Sequence, residues 1–225
     1  MVKRPQNDSN AASKYEDDED GLPREIVGAW VREKHARLQR YIDISRSVRK
    51  KWVKGGSSGC TFIDLYCGPG RARIRDTPDV LPGSPLAAWS ESVKGGSPFT
   101  EIHIADMAPN LVSAATNRLK AIGAPAQFEC GPAIETVDKI IAKLNPHGLH
   151  LALLDPFNLN DLPFEIIRKL AALKHVDILI HLSSQDLNRN LDSYIKVSNS
   201  PLDVFAPGWR KKVDLNRKLP RQEDS

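Results

Sequence analysis

Apolar residues recur along this chain in short blocks whose period switches repeatedly between that of a buried strand and that of an amphipathic helix. Val27, Val31, Leu38, Tyr41, Ile42 and Val48 return at roughly helical spacing, and Pro23 suits a first helical turn, which predicts a long helix over residues 23–53. After the Gly55 to Gly59 stretch, residues 60–66 read as a buried strand. Residues 71–83 look like an inserted loop, and Ser84-Pro85 announces a helix through LAAWSESV. Strand-like blocks then fall at 99–105, 126–130, 149–154 and 176–182, separated by helical spacing at 110–122, 134–144 and 162–173. Beyond Ser183 the pattern supports one further helix and a polar end.

Five strands alternating with helices predict an α/β fold with a doubly wound, mostly parallel sheet and right-handed crossovers, preceded by the long helix. Sheets of that kind bind ligands outside the carboxyl ends of their strands. Asp64, Gly68, Asp106, Gly131 and Asp155 all fall at those ends.

The most informative block is FIDLYCGPGR, residues 62–71, an apolar run that ends in an acid and a Gly-Pro-Gly turn. Gly68 and Gly70 allow positive φ or close backbone approach. A carboxylate inside a buried strand needs a positive or donor-rich partner, and a ligand bearing an ammonium group would suit Asp64. A Walker loop would place Gly-Lys-Ser/Thr after the turn, and none is present. The dinucleotide fingerprint would place a third small residue where Arg73 stands, which also disfavours a nicotinamide dehydrogenase. What remains is an acidic strand end and a G-x-G turn holding a ligand without a pyrophosphate, as S-adenosyl-L-methionine would be held. Asp106, closing the second strand, is then the candidate for ribose hydroxyls.

Composition adds boundaries. The chain has 225 residues, 40% of them hydrophobic, enough for one domain with a core. No run approaches a membrane span and the amino terminus lacks a secretory h-region, so the expected compartment is the cytoplasm, with no membrane partner. Residues 1–20 carry three basic and six acidic side chains, so the net charge of +4 leaves +7 for the rest. A disordered acidic tail is expected over 1–21, a main domain over 22–205 and a basic polar tail over 206–225. From Arg32 to Lys54 there are nine Lys or Arg residues, among them Arg37, Arg40, Arg49, Lys50 and Lys51, which form the candidate footprint for nucleic acid. Cys60, Cys67 and Cys130 show no C-x-x-C pair, so free thiols are expected and Cys67 reads as a small residue beside a cofactor. No His, Cys and acid cluster has metal-ligand spacing. His103, His150 and His175 read as packing or edge residues, while His181 ends the fifth strand and could face a substrate.

FIDLYCGPG resembles motif I of class I methyltransferases, and Asp155-Pro156-Phe157 resembles the D-P-P-Y/F motif of those that act on amino groups. A carboxylate there can orient an amine while an aromatic ring stacks a planar base. The competing reading is that Asp155-Pro156 turns the chain and Asp161 caps the next helix. Together with WVREKHARLQRY at residues 30–41 and Gly83-Ser84-Pro85-Leu86, these motifs resemble the three-Cys-motif partner (TcmP) family across about 150 residues. The resemblance implies a Rossmann-like methyltransferase domain. Its cofactor would be held by Asp64, Tyr66, Cys67, Gly68, Pro69, Gly70, Ser84, Asp106, Met107 and Gly131. Asp155, Pro156 and Phe157 would form the catalytic centre. It also implies a partner resembling a radical S-adenosylmethionine protein. Typical members continue into a winged helix-turn-helix module, whereas this sequence ends in a basic stretch soon after Trp209. The alternative is a binding module without turnover that serves nucleic-acid repair or defence.

Overall fold

The computed structural model describes residues 14–54 and 58–213. Its centre is a five-stranded sheet of β3 (Cys60–Asp64), β6 (Glu101–Asp106), β7 (Ala126–Cys130), β8 (Leu149–Leu154) and β9 (Val176–Ile180), in the order β7-β6-β3-β8-β9. Every pairing in it is parallel. The order reverses between β3 and β8, so the crevice at their carboxyl ends is the topological switch point of the sheet.

Both faces of this sheet are covered, which is why its inner strands are apolar throughout rather than alternating. Successive residues point to opposite sides. Phe62, Ile104 and Leu151 meet α1 (Val31–Ile44), α3 (Ser84–Lys94) and α4 (Pro109–Ala121) through Leu38, Ala88 and Ala115. Ile63, Ala105 and Ala152 meet α5 (Ala133–Ile141) and α6 (Phe164–Ala171) through Val137, Ile140 and Ile166. The α/β architecture and the mostly parallel sheet thus match the pattern of the sequence. Counting α2 (Arg46–Val53), α7 (Ser184–Lys196) and α8 (Pro201–Phe205), the described residues form eight α-helices.

Four expectations differ from the structure. The acidic tail expected over residues 1–21 falls partly outside the described residues, but its end is ordered: β1 (Tyr15–Asp17) pairs antiparallel with β2 (Pro23–Val27). The carboxylates that suggested disorder are matched by arginines of the domain. Asp18 receives Arg24, Arg71 and Arg118, and Glu16 receives Arg24 and Arg73. Pro23 therefore opens a strand, not a helix.

The long helix over 23–53 is broken in two. α1 ends at Ser45, whose hydroxyl donates back to the Tyr41 carbonyl at 2.7 Å, and Arg49 of α2 donates to the Ile42 carbonyl at 2.6 Å and to Ser45 Oγ at 2.7 Å. Arg49 closes the carboxyl end of α1 and is 2% exposed. It is withdrawn from the basic face assigned to it, because capping carbonyls needs the donors that phosphate would have taken.

The inserted loop is a strand pair. β4 (Arg71–Ile74) runs parallel to β2 and β5 (Val80–Pro82) antiparallel to β4, giving a second sheet ordered β1-β2-β4-β5. Lastly, the basic tail begins as structure. Arg210 donates to the carbonyls of Tyr194, Ile195 and Val197 near the end of α7, and with Trp209 it binds Asp203. Residues 214–225 lie outside the described residues.

Candidate functional site

Register sets the depth of the three carboxylates. Asp64 lies level with Ile104 and Leu153, so Asp106 and Asp155, each two residues further along a parallel strand, stand about 7 Å nearer the mouth of the crevice. Asp64 is consequently fully buried. Its partners come from the chain: Ser84 Oγ donates to it at 2.6 Å and the Tyr66 amide at 3.1 Å. Burial pushes its carboxyl up to about 7, with those two donors pulling the other way. The predicted need of Asp64 for donors is met by the chain, and the nearest cationic influence among the described residues is Lys34, which acts on it through space.

The turn after β3 is shaped by its glycines. Gly68 and Gly70 have φ of +56° and +83°, and the Gly83 amide donates to the Gly70 carbonyl at 2.7 Å. That bond brings the start of α3 under the turn and delivers Ser84 to Asp64. A methyl group at Gly70 would stand 3.0 Å from Leu86 Cδ1 and 3.1 Å from the Ala115 backbone. Gly70→Ala is expected to cost about 2–4 kcal/mol, from the left-handed φ and overpacking together, as read by urea unfolding. A variant as stable as the parent would contradict the packed-turn account.

Asp106 belongs to the same turn. Its carboxylate accepts from the amides of Gly68 at 3.0 Å and Ala108 at 2.9 Å, and its carbonyl accepts from Gly131. Each oxygen retains a second lone pair for a ligand hydroxyl. Gly131 has φ of +137°, so the chain leaves β7 in a conformation that side chains avoid.

The remaining turn residues divide. Cys67 packs into the core, its thiol pushed up by burial, and the Pro69 carbonyl accepts from Arg118 at 2.7 Å; both support the turn from behind. Tyr66 donates its hydroxyl to the Asp161 carbonyl at 2.6 Å, tying the turn to the segment after β8. Met107 is exposed beside Asp106. Cys60, Cys67 and Cys130 are free cysteines, and no three His, Cys, Asp or Glu residues among those described are grouped to hold a metal.

Asp155 sits at the end of β8, directly beside His181 at the end of β9, because Leu154 pairs with Ile180. Its Oδ1 lies 2.8 Å from His181 Nδ1 and its Oδ2 2.5 Å from Lys34 Nζ of α1. Burial alone would raise this carboxyl, but His181 and Lys34 outweigh it and the net shift is downward. The imidazole of His181 stacks on Trp30, with ring centroids 5.6 Å apart and planes within 5°. Between α1 and the ends of β8 and β9 lies a cavity of 540 Å³ whose walls include Trp30, Lys34, Tyr41, Ser84 and His181. Ser84, on the cavity wall, also holds Asp64 at the end of β3. The size of the cavity suits a small molecule or a single base.

Phe157 is 76% exposed, and Lys14 Nζ lies over its ring at 4.1 Å while also pairing with Glu25. Asp161 does not cap α6, whose amino end is Pro163 without a side-chain bond. His103 and His150 are buried in their strands, as packing residues. Trp30 and Lys34 were legible only as part of a sequence motif. Their spacing of four residues at the start of α1, which sets the Lys34 ammonium over the Trp30 ring, is the signal that could have found them.

The sequence matches no family model and no curated protein. Among solved structures, the chain is similar to protein LPL1258 of Legionella pneumophila, of the family model DUF519. The identity is 9% and the TM-score 0.46, over 72% of this chain and 74% of that one.

Proposed function

We propose that this chain is a TcmP-like, S-adenosyl-L-methionine-dependent methyltransferase of Rossmann-like fold, acting on an amino group of a nucleic-acid base. The observation that carries the reading is the convergence of the Asp64 to Gly70 turn, Asp106 and Asp155 at the carboxyl ends of β3, β6 and β8, around the point where strand order reverses. The cofactor lies along the turn, with its ribose hydroxyls on Asp106 and its ammonium toward Asp64. The acceptor enters from the cavity beside Asp155. Pro156 fixes the chain direction there, and the exposed Phe157 ring offers a face for a base.

Charge supports a polyanionic substrate. Arg40, Lys50 and Lys51 are exposed on α1 and α2, and Arg37 is exposed while paired with Glu33. Arg49 takes no part. A radical S-adenosylmethionine-like protein remains the partner that the family resemblance suggests. No helix among the described residues is long and apolar enough to cross a membrane.

One observation favours a second reading, a binding module without turnover. Both Asp155 oxygens are already engaged and Lys14 covers one face of Phe157. Incubation with methyl-labelled cofactor and single-stranded RNA or DNA separates the two. Label in the nucleic acid is the expected result; cofactor binding with no label in any nucleic acid or protein would favour the binding module.

A further inference from the structure

Asp155 is poorly placed to take a proton directly. Its two oxygens are occupied by Lys34 and by His181, and the carboxylate is held in its ionised form. The imidazole, by contrast, is fixed twice over, through its Nδ1 bond at 2.8 Å and through the parallel stack on Trp30. Its side chain is 34% exposed and it lines the 540 Å³ cavity. An ionised carboxylate on Nδ1 selects the neutral tautomer that carries its proton on Nδ1 and leaves the Nε2 lone pair free. Glu33 also lines the cavity, but its carboxylate is paired with Arg37 on the same helix.

We propose that His181 Nε2 is the proton acceptor of the transfer step, and that Asp155, Lys34 and Trp30 are positioning residues that set its tautomer and plane. This inference rests on the methyltransferase reading above. In the step, the acceptor amine nitrogen forms a bond to the sulfonium methyl carbon, and the carbon–sulfur bond breaks with its electron pair going to sulfur, leaving a neutral thioether. The amine proton passes to Nε2. The imidazolium so formed is stabilised by the Asp155 carboxylate, and Lys34 keeps that carboxylate ionised in the meantime.

The test uses the full chain, with labelled S-adenosylmethionine and whichever single-stranded oligonucleotide it methylates best. His181→Ala is expected to lower kcat about 10²- to 10³-fold with KM for the oligonucleotide changed less than about threefold, and added imidazole to restore part of the rate. His181→Gln, which keeps polarity and bulk but cannot accept a proton, should be equally slow. A kcat within about twofold of the parent in either variant, or a loss confined to KM, would overturn the proposal. A readout independent of turnover is the nitrogen spectrum of ¹⁵N-histidine-labelled protein. The neutral His181 ring should show a protonated Nδ1 and a bare Nε2, and Asp155→Asn should shift it toward the other tautomer. A bare Nδ1 in the parent protein overturns the proposal even where no methyl acceptor is found, whereas the expected tautomer without any methyl transfer would count against the methyltransferase reading instead.

Discussion

Arg118→Ala is expected to destabilise the protein by about 3–5 kcal/mol, the range seen when one member of a buried ion pair is removed. The residue is 6% exposed on α4 and spends its guanidinium on both sides of a junction. Toward the amino terminus it reaches Asp20 at 2.7 and 2.8 Å, Asp18 at 3.2 Å and the Pro23 carbonyl at 2.8 Å. Toward the glycine turn it reaches the Pro69 carbonyl at 2.7 Å. Arg118 is also the main reason that the Asp20 carboxyl is held down to about 2. Removing the guanidinium leaves Asp18, whose side chain is 1% exposed, with Arg24, Arg71 and the Glu19 amide, and frees the back of the turn. Arg118→Lys should recover little, because one ammonium cannot span partners set around a planar fork. Urea unfolding near neutral pH measures the effect. A loss below about 1 kcal/mol would mean that the β1–β2 ribbon and the turn are held independently.

The second large effect concerns pH and the cofactor. Asp64 has its carboxyl pushed up to about 7 by burial, so below neutrality it is protonated in the free protein. A ligand ammonium beside it favours the carboxylate, and binding must then release a proton. The sign follows: affinity is full above about pH 7 and falls as pH drops, approaching tenfold per unit, or about 50-fold between pH 7 and pH 5. Asp64→Asn should bind more weakly and without that slope. Calorimetry in two buffers of different ionisation enthalpy reads the proton directly. An affinity that is flat between these pH values in the parent protein would remove Asp64 from contact with the ligand charge.

Legibility in the sequence tracked locality. The central strands announced themselves because each is an apolar run flanked by helical periodicity, and β7 and β8 fall on the expected residues. The Gly70 turn and the Ser84 helix start were visible because glycine, proline and serine act through backbone geometry near themselves. What could not be read depends on partners distant in sequence. The segment around Glu16, Asp18 and Asp20 looks like a solvated acidic tail until Arg24, Arg71, Arg73 and Arg118 are brought to it. Arg49 looks like surface charge until a helix break at Ser45 offers it carbonyls. At the site, Asp64, Asp106 and Asp155 could be named because they end strands. Lys34, Trp30 and the pairing of His181 with Asp155 come from α1 and β9 folding over one strand end.

The central claim is that the glycine turn between β3 and β4 holds S-adenosylmethionine. Titration of the purified full chain with S-adenosylhomocysteine in a calorimeter near pH 7.5 tests it most directly, with Gly70→Ala and Asp106→Ala as companions. Saturable one-to-one binding by the parent, weakened at least about tenfold by Asp106→Ala through the lost ribose bonds, is the predicted result. No heat and no saturation by either S-adenosylhomocysteine or S-adenosylmethionine, from protein shown to be folded, would contradict the account.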